Sequence, residues 1–236
     1  PAPDLSMLDR LTEAGLERAQ SLADLVGLLP APRVLFLYVH AGELIDKIPD
    51  ELIGLLSPGD VIVDGGNSYW GDSIRRQQRL IGHGLHFVDL GTSGGLSGAE
   101  NGACFMIGGL AEAKALVIPI VKDLCVPGGF VDAGQPGSGH FVKLVHNGIE
   151  FGMLQAIGEG VDMLERFGKD VPIADVLGCW RNGSVIRSWL VDLMHEAYRY
   201  EGGLESTPGY IEDTGEVNWL VTDAVHMEVP IPVIAQ

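Results

Sequence analysis

The chain has 236 residues, 46% of them hydrophobic, with 33 glycines and a formal net charge of −17. That length holds one large domain or two small ones, and the charge excludes a nucleic-acid partner or an anionic membrane, both of which want a basic face. Apolar runs such as VLFLYV (34–39) are strand-sized, far short of the roughly 18 residues a membrane span needs.

From residue 33 to about 135, short apolar runs alternate with helical patterns. RVLFLYV (33–39), DVIVDGG (60–66), LHFVDLG (85–91), ACFMIGG (103–109) and GFVDAG (129–134) read as strands, several apolar enough to be covered on both faces. Between them, ELIDKIPDELIGLL (43–56) and AEAKALVIPIVKDLC (111–125) read as crossover helices. This rhythm predicts an α/β, Rossmann-like, mainly parallel sheet. After GQPGSG (134–139) the strand signals stop. One long helix is expected over 139–167, halted by Gly168, with further helices over 184–200 and 215–227 and a turn-rich connector over 201–209. The expected division is near residue 137, with a nucleotide-binding part over 1–137 and an all-α part over 138–236.

Cys104, Cys125 and Cys179 form no C-x-x-C pair and read as reduced structural thiols of a cytoplasmic protein. The seven histidines offer no H-E-x-x-H, and no metal site is expected. The opening PAPDLS has neither the basic start nor the apolar core of a secretory leader.

Ligands of open α/β sheets bind beyond the carboxyl ends of the strands, which here carry HAG (40–42), DGGNS (64–68) and LGTSGG (90–95). As turn signals alone these are weak. More informative is HFVKLVHNGIEFGMLQ (140–155), an apolar helical pattern interrupted by His140, Lys143, His146, Asn147 and Glu150. Lys143, Asn147 and Glu150 stand at i, i+4 and i+7 and share one face, His140 lies one turn earlier, and His146 flanks them. A solvated surface stripe or a buried ion pair would give the same spacing. Gly148 and Gly152 weigh against the first, because a helical glycine costs about 1 kcal/mol relative to alanine and needs a packing or ligand reason. A lysine and a carboxylate in one partly dry cleft can divide base and acid duties. In GQPGSGH (134–140) the glycines are spaced as in a P-loop. His140 and Phe141 stand where that motif needs Lys and Ser or Thr, which argues against a nucleoside-triphosphate site.

DGGNSYW, VDLGTSGGLSGAENG, FMIGG, GSGHFVKLVHNGIE and GSVIRSW, in this order, resemble the decarboxylating 6-phosphogluconate dehydrogenases in their short bacterial form. The resemblance runs from about residue 33 to 236. It implies that Lys143 is the general base at the substrate's C3 hydroxyl and that Glu150 protonates C1 after carbon dioxide leaves. It implies that Asn67, Ser93, Gly94, Gly95, His146 and Asn147 hold the sugar acid, with Arg187 on its phosphate. Val39, His40 and Ala41, with Asn67, would lie against NAD or NADP. A homodimer or higher homo-oligomer is implied as well. Arg181 is a further candidate for concentrating positive charge.

Three departures qualify the resemblance. The family's first strand and G-x-G-x-x-G turn would precede Pro1, so the chain reads as part of a longer protein, or one with compromised cofactor binding. Phe151 stands where relatives usually carry tyrosine, and Asn218 where they carry a basic residue. These keep two alternatives open: a related β-hydroxyacid dehydrogenase acting on an unphosphorylated acid, and a non-catalytic homologue that does not bind the cofactor.

Overall fold

The computed structural model describes residues 5–200, 207–211 and 213–235. The chain forms two compact units, Pro1–Lys143 and Leu144–Gln236, with the division inside one long helix.

In the first unit the order is α1 (Leu5–Glu13), α2 (Leu22–Leu28), β1 (Val34–Leu37), α3 (Glu43–Ile53), β2 (Val61–Asp64), α4 (Trp70–Ile81) and β3 (His86–Ser93). Then follow α5 (Gly95–Asn101), β4 (Ala103–Gly108), α6 (Ala111–Leu124), β5 (Cys125–Gly134) and the start of α7 (Ser138–Glu165). The strands form one sheet in chain order, with β1, β2 and β3 parallel, β4 antiparallel to β3, and β5 parallel to β4. The Rossmann-like, mainly parallel sheet read from the sequence is therefore present. The antiparallel pair arises because the short α5 turns the chain back without a full crossover.

Alternation along the strands explains the apolar runs. Val61, Val63, Val88, Leu90 and Ile107 face α6, whereas Leu35, Leu37, Ile62 and Phe87 face α2, α3 and α4. All four β2 residues are buried because each face meets a helix. At the edge, β5 is mostly exposed and begins at Cys125, earlier than the predicted 129, with a register shift where it meets Ala103–Phe105.

Helices α1, α2, α4 and α5 are not among the sequence predictions. In α4 the reason is plain: its buried face consists of Ser73, Arg76, Gln77 and Leu80, so an apolar periodicity is missing.

The second unit contains the rest of α7, then α8 (Ile173–Trp180), α9 (Trp189–Tyr200) and α10 (Glu216–His226). Val161, Leu177 and Val191 form its core, joining α7, α8 and α9. Helix α9 starts at Trp189 instead of the predicted 184, because Ser184 folds the chain into a turn and the Ser188 hydroxyl accepts the Val191 N–H at 3.3 Å. The connector predicted over 201–209 lies mostly outside the described residues. Among the described residues no helix is long and apolar enough to cross a membrane.

Candidate active site

Three strand ends of the first unit carry predicted site residues. Beyond β1, Val39 is half-buried and His40 and Ala41 are exposed. Beyond β2, a Cβ on Gly66 would stand 2.9 Å from the Val39 carbonyl oxygen, so the glycine lets the two strand ends close on each other. Asn67, next in the chain, is exposed. The turn that presents it is held by Asp64, whose carboxylate accepts the Gly66 N–H at 3.0 Å and the Ser68 hydroxyl at 2.7 Å. Beyond β3 come Ser93, Gly94 and Gly95, and the two glycines have φ of 136° and 55°, angles that L side chains rarely adopt.

Helix α7 enters against this same end of the sheet. Gly137 and Gly139 give it no side-chain cap of its own. Instead the fully buried Asp89 on β3 accepts the Gly137 N–H at 2.7 Å on Oδ1 and the His140 N–H at 2.9 Å on Oδ2. A Cβ on Gly139 would meet the carbonyl oxygens of Met106 and Asp89 at 2.5 and 2.6 Å, and one on Gly91 would meet the Lys143 Cβ at 2.6 Å. The glycines let the helix lie directly on the β3 and β4 backbones, with the stem of Lys143, 7% exposed, packed on Gly91.

His140, expected on the polar stripe, has a different task. It is 2% exposed, its Nε2 donates to the Asp64 carbonyl oxygen at 3.1 Å, and its Nδ1 pairs with the Ser73 hydroxyl on α4 at 2.8 Å. The imidazole thus ties α7 to the strand end that presents Asn67. Behind that turn, buried Arg76 bonds Asp46 on α3 at 3.1 Å and lies 3.8 Å from the Asp64 carboxylate. Burial pushes the Asp46 carboxyl upward, but hydrogen bonds and charge from Arg76 and Arg75 outweigh it and hold the group at about 2.

In the second unit, Asn147 is 5% exposed and its Oδ1 lies 3.2 Å from His146 Nδ1, which is 3.7 Å from Glu150 Oε2. Glu150 is half-buried, less enclosed than an acid that must hold its proton by burial. Together with Lys143, Asn147 and Glu150 sit on one stripe of a continuous helix, as the spacing predicts. The notch at Gly148 has a packing reason, since it receives Leu220 of α10 and, at 3.0 Å, Ile234. Arg187 is exposed in the turn before α9 and has no ion pair among the described residues. Arg181, by contrast, is committed to Asp192 at 2.9 Å and His195 at 3.0 Å.

A cavity of about 570 Å³ lies beside the next turn of α7, lined by Phe151, Leu154, Asp213, Glu216 and Asn218 among others. It brings together the two positions at which the sequence departs from the family, and no basic side chain lines it. Residues 200–236 contain seven Asp and Glu and no Lys or Arg.

Asp89, Ser73 and Arg76 were not singled out from the sequence. The available signal was an aspartate inside the continuous apolar strand HFVDLG, a position where a buried carboxylate needs a specific partner. Among the described residues no group of three or more His, Cys, Asp or Glu is placed to hold a metal ion, and all three cysteines are free.

Residues 4–126 match the family model for the NAD binding domain of 6-phosphogluconate dehydrogenase, and residues 139–236 match that for its C-terminal domain. The chain is 42% identical over 228 residues to Bacillus subtilis YqeC, by name a candidate 6-phosphogluconate dehydrogenase, spanning 97% of this chain and 76% of that one. It is 40% identical over 226 residues to the NAD(+)-dependent, decarboxylating 6-phosphogluconate dehydrogenase of Haloferax volcanii, spanning 95% of this chain and 75% of the relative. The structure of Plasmodium falciparum 6-phosphogluconate dehydrogenase superposes with a TM-score of 0.86 at 26% identity, covering 98% of this chain and 52% of that longer one. Both halves of the chain carry the family's domains in the family's order, and the chain belongs to the 6-phosphogluconate dehydrogenase family.

Proposed function

We propose that the protein oxidatively decarboxylates 6-phosphogluconate to ribulose 5-phosphate and carbon dioxide, with NAD or NADP as oxidant. The observation that carries this reading is Lys143, 7% exposed, with its stem packed on Gly91 of the strand that runs into Ser93, on the same helix as Asn147 and Glu150. The relatives that share the family's two domains include enzymes named for this reaction.

Lys143 takes the proton of the C3 hydroxyl as C3 becomes a ketone. Oxidation there makes a 3-keto acid, whose C1–C2 bond breaks readily because the departing electrons are received by the ketone. The Lys143 ammonium stands by to return a proton to that oxygen as carbon dioxide leaves. Glu150 then protonates the carbon that becomes C1 of the product. Asn67, Ser93, Gly94, Gly95, His146 and Asn147 hold the sugar acid. Arg187, exposed and without an ion pair among the described residues, offers a guanidinium fork for the phosphate.

The first unit's strand ends fit a nicotinamide cofactor. His40, Ala41 and Asn67 are exposed at these strand ends, and Gly42 has φ of 121°, an angle that L side chains rarely adopt. Val39, His40, Ala41 and Asn67 would hold the ring, which when bound accepts hydride from C3. Residues 1–137 serve the cofactor, and residues 138–236 serve the substrate and the pairing of subunits, in a cytoplasmic homodimer or higher homo-oligomer.

The test is formation of reduced nicotinamide and carbon dioxide from 6-phosphogluconate, with NAD and NADP in turn and Lys143→Ala alongside. Turnover that Lys143→Ala abolishes supports the proposal, and its absence with both cofactors from a chain that binds either one refutes it. The acidic cavity at Phe151 and Asn218 favours a second reading, an unphosphorylated sugar acid as substrate. A kcat/KM for gluconate above that for its 6-phosphate would select it.

A further inference from the structure

Lys143 stands one helical turn from a helix end that the sequence leaves without a cap. Donors at the start of a helix are normally met by the side chain of the preceding residue. Here that residue is Gly137, and the task falls to Asp89, a residue 48 positions earlier in the chain. Its carboxylate is fully buried and takes two N–H groups, those of Gly137 and His140. Gly108 leaves room for it, since a Cβ there would stand 2.6 Å from Asp89 Oδ2.

We propose that Asp89 is a positioning residue for the base: it sets the axial register of α7, and thereby the place of Lys143, from the strand that ends in Ser93. The inference rests on the reading of Lys143 as the base. Residue 140, whose N–H is gripped, and residue 143 are three apart on one helix. A slip by one residue would move Lys143 about 1.5 Å along the axis and about 100° around it. Gly139 and Gly91 complete the fit, because the helix rests on the β3 backbone at both. The carboxylate also places negative charge at the positive end of the helix. Other ionisable groups on elements packed around this end include Asp64 on β2, Arg76 on α4, His140 on α7 and the Lys114–Asp132 pair of α6 and β5. All are retained in the variants below.

The test combines Asp89→Asn, which keeps the shape and loses the charge, with Gly108→Ala, whose Cβ would stand 2.6 Å from both the carboxylate and the Gly139 nitrogen and so displaces the helix end with the charge retained. The chain has five lysines, so a protein labelled with 13C at lysine Cε gives five resonances by NMR, and Lys143→Ala assigns the one in question. In Asp89→Asn the Lys143 resonance is expected to move to a new chemical shift and to titrate differently from the wild type, the turn that carries it having moved. The His140 amide should exchange about tenfold faster or more. With the sugar acid and cofactor, kcat should fall about 10- to 100-fold with KM changed less than about threefold, as expected for a misplaced base. Gly108→Ala, which displaces the same turn, should reproduce the loss of kcat. Folded Asp89→Asn protein with unchanged Lys143 titration and unchanged kcat overturns the proposal. So does a lower melting temperature with kcat per folded molecule intact, which would make Asp89 merely structural. If Asp89→Asn does not fold, Gly108→Ala and the wild-type amides decide, and rapid exchange at His140 in the wild type overturns the idea. If the wild type turns over no 6-phosphogluconate, the proposed function fails by itself, and the Lys143 resonance still tests the positioning.

Discussion

The two turns of α7 that carry Lys143 and Phe151 are built by opposite rules. Around Lys143 the neighbours are backbone: the Met106 and Asp89 carbonyls, glycines 91 and 139, and a buried carboxylate on two N–H groups. Around Phe151 the neighbours are side chains lining an open cavity, acidic where a phosphate would want a cation. Backbone contacts leave no room for substitution, whereas side-chain contacts can be exchanged one at a time. On the proposed function, the base would sit on the turn that tolerates least change, and the cavity two turns further on would be the easier part to alter.

The largest effect that would break this contrast is at the base. Lys143→Met keeps the stem's volume and removes the amine, and kcat should fall by about 10³-fold or more with the fold retained. A loss below about tenfold would mean that another group takes the C3 proton. Next is Gly139→Ala. Its Cβ would meet two carbonyl oxygens at 2.5 and 2.6 Å, atoms that cannot turn aside. The variant should lose about 2–4 kcal/mol of stability, as for overpacking against rigid neighbours, together with most of its turnover. Unchanged melting would show that α7 is less tightly seated than the contacts state.

How far the sequence disclosed these features follows the same division. The apolar runs of β1 to β4 and the helix that carries Lys143, Asn147 and Glu150 are local patterns, and both are legible. Helix α4 was not, because its buried side chains are Ser73, Arg76 and Gln77, each paired with a residue remote in sequence: His140, Asp46 and Phe87. His140 misled for the related reason that spacing places a residue on a face but does not say what that face meets. Asp89 was hidden because its partners are backbone N–H groups 48 and 51 residues away.

The open end of the comparison can be sharpened by restoring what the cavity lacks. Asn218→Lys with Phe151→Tyr adds an ammonium and a hydroxyl to its wall. If 6-phosphogluconate reaches this cavity with its phosphate, KM for it should fall about 5- to 30-fold while that for gluconate stays level, the two new contacts together adding about 1–2 kcal/mol. An equal change for both acids would place the phosphate elsewhere, with Arg187 the remaining cation.

The smallest effect concerns the support behind Asn67. Asp46 is held at about 2, and its side chain is 30% exposed. A carboxyl depressed in the folded state stabilises the protein above its unfolded value, near 3.8, and the contribution disappears as pH falls through the folded value. After allowance for screening, the shift corresponds to about 1–2 kcal/mol at neutral pH. Asp46→Asn should therefore unfold at lower urea concentration than the wild type above pH 4, and the two midpoints should converge as the pH approaches 2. Arg76 would still be buried against Asp64 in that variant, so Asn67 should keep its place and KM should hardly move. A KM for either cofactor that rose with the lost stability would instead join this ion-pair cluster to the strand end it supports, making the locked region larger than the first turn of α7.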